Sequence, residues 1–588
     1  MKKLKKYLSL ILAGILVTGM LTACGKGETE VATAGGDTSG TAGTTDTKDT
    51  KDTAATTDTT DGGVQELNLR ASSFGNNYDV QDMGWRWMMA ECYEGLLRDV
   101  GGPDGDKFEL AGAESIDVSE DGLTYTFHLR QNAKWSDGKP VTANDYKYGW
   151  DRLIDPEKGY SYAAFIFNVV GAEEYYNGTG SLENVAITAK DDYTFEVKLK
   201  VADPTFESKL VATPLYPTRK DIAEAAGDNW GKDWRLSVYN GPYVLSELVE
   251  DNKMTWTKND YYWDAANVKL NKVNWFDVAE DATAATMFDN GQLDVIDGSG
   301  DYIKKYDEEA KAGKIQTLAT QYPGTAVLSY EFKNGGKSGL MNNVNIRKAI
   351  SYSINREEMV GAVYGRYSPA YGLISPAITF NGESYRSQAA EPISAEYKEY
   401  AGDKDKLQAL FQKGLDEVGV KTPLKDVSIV LLTYGSSTQN QTEREYLKQS
   451  LEQNLGIKVE LNTVGDSSLF TSERDAFNFD IMISAWYSDY NDPLDYLDIF
   501  RTGIYHSYGL YTNKDYDALL DSLTGLKDNA KRFEIYQKLE NKLLVEDCGA
   551  APLYYADKHY YIQNWVKDFH TSSFGASQEV YKTSISGK

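Results

Sequence analysis

The spacing of apolar side chains predicts alternating strands and helices from Val64 onward. Alternation of apolar and polar residues, typical of a half-buried strand, predicts strands at 67–72, 123–130 and 192–200. Apolar residues at helical spacing predict helices at 83–97 (closing on Gly95), 142–154 and 342–360. Thr142 followed by Asp145 is an acidic form of the capping box, which marks the start of the second helix.

A succession of strand, helix and strand predicts a parallel open-sheet unit near the C-terminal end. It comprises a buried strand at 427–435, a helix at 443–456 that ends on Gly456, and a strand at 457–464. The apolar run 481–483 begins a further strand. Because ligands of open α/β sheets bind beyond the carboxyl ends of the strands, residues 486–489 are candidate ligand-binding residues.

The acidic run after this last strand has two explanations. Asp492, Pro493 and Asp495 fit a helix start, with a cap, a proline at the first position and an acid near the positive end. Asp489 is left over, beside Trp486 and Tyr487. A lone carboxylate in a dry aromatic cleft is destabilised unless it is protonated or meets a cation. Asp489 is therefore predicted to bind a ligand cation, and the alternative is a local salt bridge or a turn acid.

The N-terminus is predicted to be an export signal, residues 1–23. A basic start precedes an apolar run from about Leu8 to Leu21, which is too short for a comfortable membrane-spanning helix. Leu-Thr-Ala-Cys at 21–24 resembles the lipobox of bacterial lipoproteins, which implies cleavage before Cys24 and lipidation of its sulfur. Two acyl chains suffice for stable anchoring. The alternative is an ordinary cleaved signal with an incidental cysteine.

Residues 24–63 are predicted to be a disordered linker. They contain near-repeats such as DTKDTKDT and almost no bulky apolar side chains, so they cannot offset the entropy of ordering. No later segment has the uninterrupted apolar length to span a bilayer. We therefore expect a folded body displayed on the extracellular face of the cytoplasmic membrane and held by a flexible, lipid-anchored tether.

The size, charge and aromatic content of the chain favour some classes of function and argue against others. The chain has 588 residues, which predicts two or more structural units. Its net charge of −27 argues against nucleic-acid binding, because binding phosphate requires a cationic surface. The 42 tyrosines and 11 tryptophans suit wet binding surfaces, although half-buried core packing accounts for most of them.

The sequence contains no motif that supports metal binding or catalysis. Apart from Cys24, only Cys92 and Cys548 remain, which leaves room for one disulfide at most. The four histidines are scattered and no HExxH or CxxC occurs, so no metal site or cofactor is expected. KNGGKSGL (333–340) fails as a phosphate loop, because Glu331 stands where the pattern requires glycine, and it is predicted to be a surface turn. No GxSxG is present, and no enzyme is predicted.

An ordered set of motifs resembles the extracellular solute-binding subunits of oligopeptide and dipeptide ABC importers, solute-binding protein family 5. In chain order they are CYEGLL (92–97), 111–156, NGPY (240–243), KNDYYWD (258–264), GQLDV (291–295), VNIRKAISYSINRE (344–357), AWYSDYNDP (485–493) and APLYY (551–555). The oligopeptide branch is the most similar, through DYKYGW and WYSDYND. One departure is Ile116, where the family usually has tryptophan.

This resemblance implies an α/β fold of the periplasmic-binding-protein class II, a two-lobed clamshell with an extra inserted domain. The implied first domain combines 64–100, 215–321 and 553–588, the insertion is 101–214, and the third domain is 322–552. Chain crossings near Tyr322 and Pro552 would form the hinge. The implied motion is rigid closure of the lobes over a ligand, after which the closed form meets a membrane permease.

The resemblance also implies roles for individual residues. Asp489 matches the aspartate that takes the α-ammonium group of a peptide, and Trp486, with Tyr487 beside it, would wall the first pocket. Tyr148 resembles a peptide-contacting tyrosine, with helix-face packing as the alternative. Arg474 matches an arginine near the peptide carboxylate, although a solvated surface arginine is the interpretation we favour there.

The predicted function is therefore capture of oligopeptides and their delivery to an ABC importer. The expected partners are peptides and the permease and ATPase subunits, with membrane contact through the lipid anchor only, no nucleic acid, and a monomeric state. The alternatives are the same fold binding an oligosaccharide, a nickel chelate or haem, or a peptide-signal sensor. A cation site at Asp489 favours peptides, because every peptide with a free N-terminus carries an ammonium group.

Overall fold

The computed structural model describes residues 64–82, 89–101, 107–298, 302–504 and 511–588. The predicted signal, the lipidation site Cys24 and the linker lie outside these residues. So does the first part of the predicted helix at 83–97. Within the described ranges, no helix has both the length and the apolar character that crossing a membrane requires.

The strands of the described residues are numbered in chain order. They are β1 Glu66–Ala71, β2 Leu97–Asp99, β3 Phe108–Leu110, β4 Ala113–Val118, β5 Thr124–Leu129, β6 Ile187–Asp191, β7 Thr194–Lys198, β8 Tyr243–Val249, β9 Lys253–Lys258, β10 Lys272–Asp277, β11 Val295–Asp297, β12 Ile315–Tyr330, β13 Ser368–Pro369, β14 Thr379–Phe380, β15 Glu383–Ser384, β16 Ser428–Tyr434, β17 Lys458–Val464, β18 Ile481–Tyr487, β19 Ala550–Gln563, β20 Val566–Lys567 and β21 Ser584–Ile585.

The α-helices are numbered in the same way. They are α1 Ala143–Leu153, α2 Ala172–Tyr176, α3 Phe206–Lys209, α4 Lys220–Ala226, α5 Asp281–Asp289, α6 Ile303–Lys311, α7 Val344–Tyr352, α8 Arg356–Val363, α9 Tyr385–Gln388, α10 Ser394–Tyr400, α11 Lys404–Glu417, α12 Thr438–Leu455, α13 Ser467–Asp475, α14 Leu494–Asp498, α15 Lys514–Asp521 and α16 Asn529–Asn541. A 3-10 helix at Ser161–Ile166 also contributes to the site described below.

Three sheets organise these elements. The first has the order β1-β10-β9-β8, and the second, β4-β5-β7-β6, lies within residues 101–214. The third and largest has the order β11-β19-β12-β18-β16-β17, with β13 paired to β19. The second sheet falls where the inserted domain is predicted, and the domain boundaries themselves stay a prediction.

The predicted parallel unit is confirmed. Strand β16 pairs in parallel with both β17 and β18, with Leu431 opposite Ile481. Helix α12 ends on Gly456, whose φ of 71° suits glycine because it has no Cβ to clash. The carboxyl ends of β16 and β18 therefore lie side by side, and Tyr434 and Tyr487 are their last residues.

The largest sheet is built around the antiparallel pair β12 and β19. Strand β12 has 16 residues and β19 has 14, and their register shifts twice, between Gln321 and Thr325 and between Ala326 and Val327. Tyr322 lies in the first irregular stretch, and Pro552, which has no N–H to donate, stands opposite Val327. Both residues predicted to form the hinge therefore lie on this one ladder.

Several local predictions are confirmed. The predicted strands at 67–72, 123–130 and 192–200 correspond to β1, β5 and β7. Helix α1 begins after Thr142, whose backbone N–H donates to the Asp145 carboxylate at 2.8 Å. The KNGGKSGL segment is a turn, in which the Gly336 amide donates to Glu331 at 2.7 Å and the Ser338 amide to Asp480 at 2.8 Å.

The helix predicted at 83–97 extends too far: Met89 is helical, but residues 90–96 form turns and irregular backbone, and Leu97 begins β2. The backbone there bonds to a neighbouring loop instead of to itself. The Gly241 amide donates to the Cys92 carbonyl at 3.0 Å, and the side chain of Asn240 bonds both backbone groups of Glu94. Residues 90–99 are all buried, so their apolar pattern reflects burial on every side.

The single long helix predicted at 342–360 is also wrong. Helix α7 ends at Tyr352 and α8 begins at Arg356. Asn355 caps α8 by accepting the Glu358 amide at 3.2 Å, which starts a new helix. The fully buried Arg356 guanidinium donates to the carbonyls of Ser351, Ile354 and Pro552 and so stabilises the break.

The cysteines Cys92 and Cys548 are both free and buried, so they form no disulfide. Burial raises the pKa of both thiols, because it disfavours the charged thiolate.

Replacing Arg356 by methionine is expected to lower the free energy of unfolding by about 3 kcal/mol, because the substitution leaves buried carbonyls unpaired. Urea unfolding measures the effect. The matched control is Arg235→Met, whose side chain is 71% exposed and pairs with Asp233 in the described part of the chain, and it should change stability little. Equal effects of the two substitutions would show that Arg356 does not hold the α7–α8 break.

Candidate functional site

Asp489 lies two residues beyond the end of β18, on a half-buried stretch of chain. Its carboxylate oxygen Oδ1 accepts a hydrogen bond from the Tyr162 hydroxyl at 3.0 Å. Tyr162 belongs to the 3-10 helix Ser161–Ile166, which is 327 residues away in sequence. The carboxylate therefore lies where two distant parts of the chain meet.

Aromatic rings surround this meeting point. The Phe165 ring packs edge-on against Tyr162, with centroids 5.1 Å apart, and against Tyr490, with centroids 6.0 Å apart. The Lys209 ammonium lies 5.0 Å from the centroid of the Tyr490 ring. The residue next to Asp489 in the chain thus packs against the same 3-10 helix that supplies the hydroxyl to Asp489.

Trp486 and Tyr487 occupy different positions relative to this carboxylate. The half-buried Trp486 donates its indole N–H to Asp495 at 2.9 Å. Tyr487 is 49% exposed, and its ring lies 5.7 Å from that of Tyr322. Gly324 stands opposite Tyr487 in the ladder, and a Cβ there would come within 2.5 Å of the Tyr487 ring. A side chain at that position would displace the tyrosine.

Asp495 organises the segment 486–489, a role that the helix-start interpretation missed. Its buried carboxylate oxygen Oδ2 accepts three hydrogen bonds, each at 2.9 Å: from the Trp486 indole N–H, the Ser488 hydroxyl and the Asp489 backbone N–H. Burial and the neighbouring charge of Asp489 raise the pKa of Asp495 to about 7. The two acids therefore form an interacting pair.

Asp492 lies two residues before α14. This helix begins at Leu494, one residue later than predicted. One oxygen of the buried Asp492 carboxylate accepts the Leu494 amide at 2.8 Å. The Arg532 guanidinium donates to the other oxygen at 2.7 Å and the Tyr536 hydroxyl donates at 2.8 Å. This network fixes the chain immediately after Asp489 to α16.

Among the contacts of the described residues, those of Tyr148 and Arg474 are with other groups than the Asp489 cluster. Tyr148 lies on α1, with its ring centroid 5.9 Å from the Arg152 guanidinium carbon. It lines a cavity of about 1000 Å³ whose walls do not include Asp489. Arg474 lies on α13, where its Nε donates to the adjacent Asp475 at 3.0 Å. Their roles in binding stay predictions.

The described residues contain no cluster of three or more histidine, cysteine, aspartate or glutamate side chains that could hold a metal ion. The arrangement around Asp489 thus offers a carboxylate, aromatic rings and hydroxyl groups. These groups suit recognition of a cation through charge-assisted hydrogen bonds.

Comparison with known proteins gives consistent matches. Residues 107–505 match the model of the bacterial extracellular solute-binding proteins, family 5. The dipeptide-binding protein DppE of Bacillus subtilis is 30% identical over 499 residues, which are 84% of this chain and 86% of the relative. The oligopeptide-binding protein OppA of the same organism is 30% identical over 495 residues, 82% and 84% of the two chains.

Solved structures agree with these matches. The substrate-binding domain of an oligopeptide ABC transporter from Bacillus anthracis superposes with a TM-score of 0.74 at 28% identity, covering 89% of this chain and 99% of the other. Listeria monocytogenes OppA bound to peptide gives a TM-score of 0.74 at 27% identity, covering 90% and 100%. These likenesses confirm the predicted fold class, the two-lobed α/β clamshell.

Asp495→Asn is expected to change how stability depends on pH. The folded pKa of about 7 exceeds the ordinary value of about 3.9, so the folded protein holds a proton that the unfolded chain has lost. This contribution to the free energy of unfolding is therefore lost as pH rises from about 4 to 7. Asparagine does not titrate. Urea unfolding at pH 5 and pH 8 should show the native chain losing stability relative to the variant, on the order of 1 kcal/mol or more.

The control for this experiment is Asp498→Asn, on the same helix, whose side chain is 45% exposed. It should retain the pH dependence of the native chain. If Asp495→Asn retains it as well, the shifted group is not Asp495.

Proposed function

The chain belongs to the bacterial extracellular solute-binding proteins of family 5, and we propose that it captures oligopeptides by binding their α-ammonium group at Asp489. The single observation that carries this proposal is the position of Asp489, beyond the end of β18 and 3.0 Å from a hydroxyl of a distant segment. Ligands of open α/β sheets bind beyond such strand ends. A fixed carboxylate recognises the one group shared by all peptides with a free N-terminus.

Asp495 supports this role by positioning Asp489. It accepts the Asp489 backbone N–H and fixes the indole of Trp486, so that the carboxylate and its neighbouring ring are held ready for the ligand. An ammonium group bound at Asp489 would also offset the repulsion between the two acids. Pre-organisation of this kind raises affinity, because fewer side chains lose conformational freedom when the ligand binds.

Closure of two lobes is the proposed binding motion. The Tyr162–Asp489 hydrogen bond joins the predicted insertion, 101–214, to the predicted third domain, 322–552. The irregular β12–β19 ladder contains both predicted hinge residues, Tyr322 and Pro552. Closing would bring Tyr162 to Asp489 and enclose the ligand, and the closed form would deliver it to the permease and ATPase of an ABC importer.

The proposed location is the outer face of the cytoplasmic membrane. The LTAC sequence at 21–24 supports lipidation of Cys24 and anchoring through acyl chains, and the polar linker up to residue 63 would act as a tether. The family name itself describes extracellular proteins. The proposed soluble body binds as a monomer and performs no covalent chemistry.

Asp489→Asn is expected to weaken peptide binding by a factor of about 100 with a nearly unchanged melting temperature. Removing one partner of a buried charged pair costs about 2–5 kcal/mol of binding free energy. Isothermal titration with a tripeptide that has a free N-terminus measures the change. Undiminished affinity would exclude Asp489 as the ammonium site.

Two controls sharpen this test. The same tripeptide with an acetylated N-terminus should bind the native chain weakly, and Asp489→Asn should weaken that binding little further, because the charge pair is already absent. Asp498→Asn removes an exposed acid nearby and should keep native affinity.

Peptide binding is also expected to release a proton near neutral pH. A bound ammonium group favours the ionised form of Asp495, whose pKa of about 7 should fall, so affinity should rise several-fold from pH 5.5 to 7. The peptide amine, with a pKa of about 7.7–8.0, stays protonated throughout this range. Titrations in phosphate and in imidazole buffer measure the proton release, and Asp495→Asn should abolish it. Equal release from both proteins would assign the proton to another group.

A further inference from the structure

The predicted insertion, 101–214, also meets the predicted third domain, 322–552, at a place that involves neither Asp489 nor Tyr162. The Lys527 ammonium group donates a hydrogen bond to the backbone carbonyl of Asp121. Lys527 lies in the loop between α15 and α16, and Asp121 lies in the turn between β4 and β5. This contact joins two parts of the chain that are 406 residues apart in sequence.

The turn that receives Lys527 is held together by its own hydrogen bonds. The Ser119 hydroxyl donates to the Asp121 oxygen Oδ1 at 2.5 Å, and the Leu123 amide donates to the same oxygen at 3.0 Å. The Gly122 amide donates to the Ser119 carbonyl at 2.7 Å. These bonds to the carboxylate, together with the nearby Lys527 charge, hold the pKa of Asp121 below its usual range. The turn therefore presents its backbone carbonyl to the lysine in a fixed direction.

Gly122 allows the lysine to come this close to the turn. Its φ of 75° is in the left-handed region, which glycine adopts without a steric penalty. A Cβ at this position would lie 2.7 Å from the Lys527 Nζ and 3.0 Å from its Cε. A larger residue at position 122 would therefore displace the ammonium group from the Asp121 carbonyl.

The neighbouring residues of the two segments also face each other. A Cβ on Gly525 would lie 4.0 Å from the Cβ of Val201, which follows β7 in the insertion. The loop that carries Gly525 and Lys527 is anchored to its own domain by the buried Leu523 and the half-buried Leu526. The contact therefore involves two anchored segments and more than one side chain.

This loop continues directly into α16, the helix that also fixes the chain after Asp489. Asp528, next to Lys527, caps α16. On the same helix, the Arg532 guanidinium donates at 2.7 Å to Asp492, which lies three residues beyond Asp489. The Lys527 contact and the Tyr162–Asp489 contact therefore connect the insertion to one continuous part of the third domain.

We propose that Lys527 and the turn 119–123 form a latch, which favours closure of the two lobes without contacting the ligand. This inference rests on the lobe closure of the proposed function, and it adds that the protein itself supplies part of the free energy of closing. When only the closed form binds, the apparent affinity is reduced in proportion to the closed fraction of the free protein. The latch therefore strengthens the binding of every peptide by the same factor.

The first experiment measures closure with no ligand present, through a disulfide between Val201→Cys and Gly525→Cys in the full chain with Cys24→Ser. The separation of 4.0 Å fits the Cβ–Cβ distance of a disulfide, about 3.5–4.5 Å. Cys92 and Cys548 are buried and should react slowly. The equilibrium constant for forming the disulfide in a glutathione redox buffer measures how readily the two segments meet.

The double-cysteine protein is expected to form this disulfide, and Lys527→Met should lower the equilibrium constant by about two- to fivefold. The factor is modest because Lys527 is exposed and water competes for its ammonium group. Any strain from the cysteine at position 525 is common to all variants and cancels in the comparison. Failure of the disulfide to form would show that the two segments do not meet, which would overturn the proposal.

Two matched variants serve as controls. Lys527→Arg keeps a charged donor and should retain the equilibrium constant. Lys531→Met removes a lysine from the first turn of α16, where its side chain is 68% exposed and pairs with Asp528 at 3.4 Å. It should also leave the equilibrium constant unchanged. The latch is excluded if Lys527→Met has no effect or if Lys531→Met has the same effect.

The second experiment compares the tripeptides Ala-Ala-Ala and Ala-Leu-Gln by isothermal titration, with the natural cysteines in place. Lys527→Met should weaken both peptides by the same factor, about two- to fivefold, and Lys531→Met should weaken neither. Unequal factors for the two peptides would show that Lys527 contacts the ligand, and unchanged affinity for both would show that it does not favour closure; either result overturns the latch.

The two experiments distinguish failure of the latch from failure of the proposed function. If no peptide binds the native chain while the disulfide constant depends on Lys527 as expected, the proposed function fails and the latch is supported. If peptides bind and lose affinity in Asp489→Asn while neither measurement responds to Lys527→Met, only the latch is overturned.

Discussion

The long antiparallel pairing of β12 with β19 is the constraint on which the candidate site depends. It brings residues 315–330 against residues 550–563 at the centre of the largest sheet. Strand β11 extends that sheet on one side, and β18 extends it on the other. The register of β18 against β12 sets Trp486 opposite Thr325 and Tyr487 opposite Gly324. This register therefore also determines where the chain leaves the sheet and reaches Asp489.

Placing two carboxylates beside each other is unfavourable, and the structure compensates for it locally. Asp495 is buried but receives three donors on one oxygen, and Asp489 receives the Tyr162 hydroxyl. Buried acids are tolerated when hydrogen bonds or cations satisfy them. A few residues away, Asp492 meets the Arg532 cation directly. The acids of this segment therefore lie in different electrostatic surroundings, because their partners differ.

The sequence predicts a helix, strand or candidate residue correctly when only one structure explains its pattern of apolar and charged residues. Prediction fails when two different structures explain the same pattern equally well. Asp489 could be proposed as a candidate from the sequence because it follows a buried strand and fits no helix start. Asp495 could not, because an acid in the first turn of a helix has an ordinary electrostatic explanation, and only the fold shows it turned toward Trp486. In the same way, burial on all sides gives residues 90–96 an apolar pattern that resembles a continuation of the helix predicted at 83–97. The break before Arg356 had a signal in Asn355, a good cap residue. Apolar residues at helical spacing continue on both sides of Asn355, however, and so predicted one unbroken helix.

The two buried thiols have a consequence for where this protein can work. Cys92 and Cys548 are both free and lie in the core, so the described body reaches its fold without an oxidant and holds no sulfur–sulfur bond that a reductant could open. Its core tyrosines and tryptophans supply the packing that small exported domains often obtain from covalent staples. The fold of the described residues therefore does not require its surroundings to be oxidising.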